Sequence, residues 1–420
     1  MRSMVRIAGR GKRGASQESN RVEGAEGVAA ALNGRVELIQ ALIPLGLEAV
    51  EDVLQQEVTA LAGDRYARGG GQPGHARWGR QAGSVYLSDH KVSIDVPRVR
   101  DRLRNQEVPL ATYQALREPR RAEEAALRKI LQGLSCRDYE SCVEPVAKTF
   151  GLKASSLSRR FKRASARKLQ ELRERDLSSY DIVALFLDGK TFGEDQMVIA
   201  LGVTLEGNKV ILGFVQTATE NEAVCSAFLR ELMERGLKID QGLLCVIDGA
   251  KGLRKAVDKV FAHKAVVQRC TWHKRENVVR YLAANLQPTY RRKLQAAYEK
   301  PTYAQAKASL MNVRSELAQI NESAVASLDE GLEDTLTLHR LGLFTELGES
   351  FKTTNCIENL NALVGQRTDK VDCWRNAEQK HRWLATTLLD IEPRLRKVRG
   401  HRRLVRLRAA LQQRGLDAVA

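Results

Sequence analysis

At 420 residues the chain has length for two or three domains, each with its own core. Lys and Arg number 68 against 51 Asp and Glu, a net charge of +17, which is outside the balance of an ordinary metabolic enzyme and points to a polyanionic partner. No stretch approaches the roughly 18 consecutive apolar residues of a membrane-spanning helix, the first residues lack a signal-peptide core, and the seven cysteines are odd in number. The expected setting is a reducing cytoplasm, with nucleic acid as the partner.

Residues 1–35 are rich in Gly, Ser, Glu and Arg without sustained period, and are expected to be disordered. A first helix is expected over Arg35–Leu61, carried by Leu38, Leu42, Leu45, Val50, Val53 and Leu54, with Pro44 bending or splitting it. After an exposed turn at Gly69–Gly74, the segment Val85–Val99 alternates Val92, Ile94 and Val96 up to Pro97, which reads as a small hairpin. Arg98, Arg100, Arg102 and Arg104 follow and suit either a solvated charged face or phosphate contact.

Cys142–Phe150 reads as an apolar helix that stops at Gly151, and Ser155–Arg163 opens a basic one. Helix, Gly-containing turn and helix is the helix-turn-helix pattern; Ser156, Ser158, Arg159, Arg160, Lys162 and Arg163 are then the candidates for bases and phosphates. Pro145 fits only within the first turn of its helix. An ordinary packed helix pair is the competing reading, and the basic excess of the second helix weighs against it.

Two short unbroken apolar runs, Ile182–Leu187 and Leu243–Ile247, each end in Asp-Gly, at Asp188-Gly189 and Asp248-Gly249. Such runs read as strands buried on both faces, with the carboxylate where the strand leaves the core and Gly allowing a backbone or phosphate to approach. Asp-Gly also begins turns, but its repetition on a strand expected alongside argues for a joint site. Paired carboxylates suit hard cations, and two Mg²⁺ ions, with Mn²⁺ as a substitute, are the usual machinery for in-line displacement at phosphorus.

Met197–Val203 and Val210–Val215 flank a hairpin signal at Glu206–Asn208. Thr219 and Glu222 read as a capping box for a helix ending at Gly236. A helix from about Ala250 to Phe261 and a strand over Ala265–Gln268 follow. Strand, strand, strand, helix, strand, helix, strand is the order of a ribonuclease-H-like sheet, in which the first and fourth strands are neighbours. Residues 274–345 are helical in period, an all-helical insertion before a last helix opening over Lys352–Asn361. Ile357, Leu360 and Val364 form its buried stripe, with Glu358 and Asn361 on the adjacent face toward the aspartates; a cap formed by Asn355 with Glu358 is the alternative use of that carboxylate.

Cys270 and His273 form a Cys-x-x-His pair, two of the four ligands of a structural zinc. With nothing nearby completing the set, His273 is expected to hydrogen-bond near the acidic site or a DNA phosphate, with Cys270 and Trp272 packing. Arg394–Arg414 holds nine Arg or Lys and no acid, and reads as a phosphate-tracking helix in preference to a solvated surface.

Taken in order, Asp188–Phe192, Met197–Val203, Leu212–Phe214, Asp248–Leu253, Cys270–Asn277 and Thr353–Asn361 resemble the Mutator-type bacterial insertion-sequence transposases from residue 180 to about 385. Val96–Arg100 is similar to that family's amino-terminal region. The resemblance implies that Asp188, Asp248 and Glu358 are catalytic metal ligands, that Cys270, His273 and Asn361 are accessory to them, and that the protein binds terminal inverted repeats and target DNA as a homodimer or larger assembly. The family's basic residue seven positions after the Glu is Gly365 here, leaving Arg367 as the candidate DNA contact. The expected layout is a flexible or helical region at 1–75, a mainly helical DNA-binding region at 76–179, an α/β ribonuclease-H-like core of five mixed strands at 180–269 and 350–390, a helical insertion at 270–349 and a basic tail at 391–420. A structure-selective nuclease of the same fold and a DNA-binding regulator are the alternatives.

Overall fold

The computed structural model describes residues 46–66, 71–87, 90–118, 149–150, 154–192, 194–217, 221–369, 371 and 373–417, with a few positions between 124 and 132. They fall into two compact units, 1–130 with 134–161, and 131–133 with 162–420.

In the first unit a helix over residues 46–62 turns Val50, Leu54 and Val58 onto an antiparallel sheet, while Val53 of the expected stripe faces solvent. The expected helix start, 35–45, lies outside the described residues. The sheet runs β1 (His75–Leu87), β2 (His90–Asp101) and β3 (Gln106–Val108), and β4 (Thr149–Phe150) pairs with β2. Val85, Val96 and Val99 are buried in one cluster with Val50, Leu54 and Val58 of the helix, and Val92 is buried as well. The hairpin is longer than its pattern suggested: β2 continues past Pro97, which lies opposite Arg80 beside a register shift, where a residue without N–H is tolerated. Arg98 makes two hydrogen bonds to Glu107, and Arg100 bonds Asn105 and lies 4.9 Å from the Trp78 ring centroid, so these arginines serve the sheet.

Among the described residues the amino-terminal region carries a four-stranded sheet beside its helices. Thr149 and Phe150, expected to end the first helix of a helix-turn-helix, pair antiparallel with Val92 and Lys91; residues 142–148 of that helix lie outside the described residues. The basic helix does form, over Ala154–Arg173.

The second unit is organised on β5 (Ile182–Phe192), β6 (Asp195–Thr204), β7 (Lys209–Thr217), β8 (Leu243–Ile247) and β9 (Ala265–Arg269), in the order β7-β6-β5-β8-β9. β5, β6 and β7 form an antiparallel meander, and β5, β8 and β9 are parallel, so the first and fourth strands are neighbours as expected. The apolar runs are unbroken because both faces are covered. Val183 and Phe186 of β5 and Leu244 of β8 pack against Phe351, Ile357 and Leu360; Leu185, Leu187 and Ile247 pack against Phe228, Leu253 and Phe261. The helix Glu222–Glu234 is capped by Asn221, whose Oδ1 accepts from the Ala223 N–H at 2.8 Å; Thr219 of the expected capping box lies outside the described residues.

The helices between Thr271 and Thr335 have their own core, in which Leu294, Leu310, Leu317 and Leu328 are fully buried. The insertion leaves and rejoins the sheet at one neck, where the Thr271 N–H and Oγ1 both donate to the Lys352 carbonyl at 2.9 and 3.1 Å. The basic segment Arg394–Arg414 is not a free tail. Val398, Leu404, Leu407 and Leu411 are buried in the main core, and buried Arg408 donates to the carbonyls of Ile182 (2.9 Å) and Gly242 (2.6 Å), at the starts of β5 and β8, and pairs with Asp181.

Candidate active site

The parallel register sets Leu187 beside Ile247, which makes Asp188 and Asp248 the next residues on adjacent strands. They are reached differently. β8 stops at Ile247, and Asp248 Oδ1 accepts from the Ala250 N–H at 3.0 Å in a turn that Gly249 closes at φ +111. β5 does not end at Asp188, as the sequence suggested; it continues to Phe192 because β6 runs beside it, pairing Ile199 with Asp188 and Asp195 with Phe192. Asp188 therefore stands at an opening in the sheet, where one neighbouring strand has ended and the other continues. The space over Gly249 is taken by the Arg269 side chain, whose Nε would lie 2.1 Å from an added Cβ.

The third carboxylate is on the helix Asn355–Thr368, whose Ile357, Leu360 and Val364 are fully buried against the sheet as expected. Asn355 is the first helical residue and not the cap, so the cap reading of Glu358 does not hold. Glu358 Oε1 instead accepts from the Thr354 hydroxyl at 2.5 Å. One turn on, Asn361 Nδ2 donates to Asp188 Oδ2 at 2.8 Å, while its buried Oδ1 has no partner. This bond joins the helix to β5 across 173 positions.

Cys270 and His273 complete the cluster from the other side. Cys270 lies directly after β9, with its N–H donating to the Ile247 carbonyl, and His273 is in the first turn of the helix Thr271–Val279. His273 Nδ1 is 3.9 Å from Glu358 Oε1 and 3.3 Å from Thr354 Oγ1, and Cys270 Sγ is 3.4 Å from the same hydroxyl. Candidate ligand atoms of Cys270, His273 and Glu358 lie within 4.8 Å of one another, the arrangement that metal-ligand spacing picks out among the described residues.

Burial, reinforced by the charge of Asp248, pushes Asp188 up to about 7, although the His273 charge and the Asn361 bond oppose it. His273 is raised to about 9, chiefly by its hydrogen bond with Cys270 and, against burial, by the Cys270, Asp248 and Glu358 charges. Burial disfavours the Cys270 thiolate, but its hydrogen bonds with His273 and Thr354 outweigh this and hold the thiol below its usual range. A carboxylate that resists ionising beside two others would be favoured in its charged form by a divalent cation, and carboxylate oxygens suit a hard one.

The basic candidates fare differently. Arg160 is buried, its guanidinium 5.0 Å from the Tyr86 ring centroid and donating to Tyr86 Oη at 2.9 Å, so it is packed rather than offered to bases. Arg159, Lys162 and Arg163 are exposed and Ser158 is half-buried; the side chain of Ser156 lies outside the described residues. Arg367 is held inside the unit, with Nε 3.3 Å from Asp390 and Nη1 donating to the Leu363 carbonyl. Thr354 was not singled out from the sequence, although it stands in the Thr353–Asn361 motif directly before the helix.

The fold and site define an α/β protein with an acidic centre at the opening of a mixed five-stranded sheet. The chain belongs to the Mutator family of transposases, whose family model matches residues 18–396. It is 27% identical over 352 residues to the transposase for insertion sequence element IS905 of Lactococcus lactis, covering 81% of this chain and 86% of that one. It is 28% identical over 248 residues (57% and 74%) to the transposase for IS6120 of Mycolicibacterium smegmatis. With the transposase for IS256 in transposon Tn4001 of Staphylococcus aureus it shares 29% over 199 residues, 46% of this chain and 48% of the relative. Among the described residues no helix is long and apolar enough to cross a membrane.

Proposed function

We propose that this transposase binds the terminal inverted repeats of an insertion sequence and catalyses 3′-end cleavage and strand transfer, using Asp188, Asp248 and Glu358 in a ribonuclease-H-like core. The observation that carries the reading is the convergence of Asp188 and Asp248 on adjacent parallel strands with a helix bonded to Asp188 through Asn361 and presenting Glu358 one turn earlier. The strand order supports the fold assignment. The three carboxylates would hold two divalent cations, Mg²⁺ or in its place Mn²⁺; the chemistry these supply when bound is activation of the attacking oxygen and stabilisation of the leaving one. Asn361 orients Asp188 by donating to Oδ2, and the His273 charge offsets repulsion among the acids. A net charge of +17 suits a DNA partner, and the joining of two ends calls for a homodimer or larger assembly.

The test incubates the protein with the ends of its own element and Mg²⁺ and maps the 3′-ends formed. New 3′-hydroxyls at the element boundary that then join target DNA are expected. Cutting without joining would assign a structure-selective nuclease instead, and binding without cutting in either Mg²⁺ or Mn²⁺ a regulator.

A further inference from the structure

We infer that Thr354 is a positioning residue of this site, holding Glu358 in place for a divalent cation and linking it to Cys270 and His273. The inference rests on the functional reading above. Thr354 is fully buried, and its one hydroxyl lies within hydrogen-bond distance of three side chains of the cluster: Glu358 Oε1 at 2.5 Å, His273 Nδ1 at 3.3 Å and Cys270 Sγ at 3.4 Å. A hydroxyl has one proton and two lone pairs. The carboxylate, charged and nearest, takes the proton in a charge-assisted bond. The oxygen's lone pairs then face the other two, and the charged His273 supplies a hydrogen on Nδ1 toward one of them.

The Cys-x-x-His pair thereby has a use that requires no metal of its own. Cys270 is fixed behind β9 by its bond to the Ile247 carbonyl, the residue before Asp248, and Thr354 closes the turn before the Glu358 helix. Thr354 thus ties the end of the strand carrying Asp248 to the start of the helix carrying Glu358, and commits Oε1, leaving Oε2 to the cation. Positioning partners of metal-ligating carboxylates typically contribute tenfold or more to affinity.

The experiment measures Mn²⁺ binding to the full chain without DNA, by calorimetry and by the electron paramagnetic resonance of free Mn²⁺, alongside circular dichroism and melting. Thr354→Val keeps the shape and removes the hydroxyl, and Thr354→Ser keeps the hydroxyl. Mn²⁺ affinity about tenfold weaker in Thr354→Val, and within about twofold of the parent in Thr354→Ser, is expected. Full affinity in folded Thr354→Val, or equal loss in both variants, overturns the inference. If Thr354→Val does not fold, Thr354→Ala, which leaves room for a water, is read by the same criteria. Asp188→Asn separates the two levels: if it fails to weaken Mn²⁺ binding, the functional reading itself fails, whereas its loss together with retention in Thr354→Val rejects the role of Thr354 alone.

Discussion

β5 and β8 carry the same local pattern, an apolar run and Asp-Gly, and end up in different environments. Asp248 follows the last residue of its strand and uses one oxygen to close a turn, whereas Asp188 is inside its strand, bonded by Asn361 and pushed up to about 7. The difference comes from neighbours: β5 has β6 beside it past residue 188, and β8 has no such support past Ile247. One motif thus supplies a carboxylate restrained by a remote helix and another restrained by its own turn.

The largest effect that would break this pairing is on activity. Asp188→Asn, Asp248→Asn and Glu358→Gln should each lower cleavage by more than about a thousandfold, with end-binding retained, because an amide keeps the shape and loses the charge a cation requires. Cleavage within threefold of the parent in any one of them would remove that residue from the site.

Next in size is the support at the opposite ends of the two strands. Arg408 bonds the Ile182 and Gly242 carbonyls, so Arg408→Ala should cost about 2–4 kcal/mol in urea unfolding by orphaning buried acceptors. Exposed Arg402→Ala should stay within about 0.5 kcal/mol. Equal costs would mean that the basic segment acts through its charge rather than through this contact.

The pH dependence of stability follows from Asp188. A carboxylate whose folded value is raised from 3.8 to about 7 destabilises the folded state once it must ionise; the penalty is absent below about 4, grows as pH rises, and is complete above about 7. Without metal, Asp188→Asn should therefore melt higher than the parent at pH 8, by up to a few kcal/mol, and equally at pH 4. Mg²⁺ should raise the parent melting temperature more at pH 8 than at pH 5, and not that of Asp188→Asn. Asp248→Asn should change stability little, since Asn forms the same turn.

The smallest contrast lies in the glycines. Gly249→Ala, at φ +111 with Arg269 across it, should cost about 1–3 kcal/mol, whereas Gly189→Ala, inside β5 with no positive φ, should stay within about 1 kcal/mol. Thermal melts of the two proteins give the comparison directly.

What the sequence showed follows the range of the interactions involved. The strands with Asp188 and Asp248, the hairpin at Glu206–Asn208 and the stripe of the Glu358 helix are local apolar patterns, and they were legible. Pairing of Thr149–Phe150 with β2 has no local signature, and two residues before Gly151 read equally as a helix end. The segment Arg394–Arg414 was read by its charges, although Leu404, Leu407 and Leu411 recur at helical spacing and mark its buried face. Arg160 and Arg367 read as free cations in the sequence because the partners they bond, Tyr86 and Asp390, are 74 and 23 positions away. Thr354 resembled an ordinary residue before a helix, since two of its three partners belong to another element.

The neck at Thr271 and Lys352 has an evolutionary consequence. The helices from Thr271 to Thr335 fold around their own core, whereas Leu338, Leu343, Phe344, Leu347 and Phe351, on the return to the neck, are buried in the core of the sheet. Lengthening a tethered segment is inexpensive, about 0.6 kcal/mol per doubling when flexible and less of a burden when it folds autonomously. The helical part between Asp248 and Glu358 can therefore accept modules of other sizes, provided their ends meet as closely as these do, while the three carboxylates keep their placement.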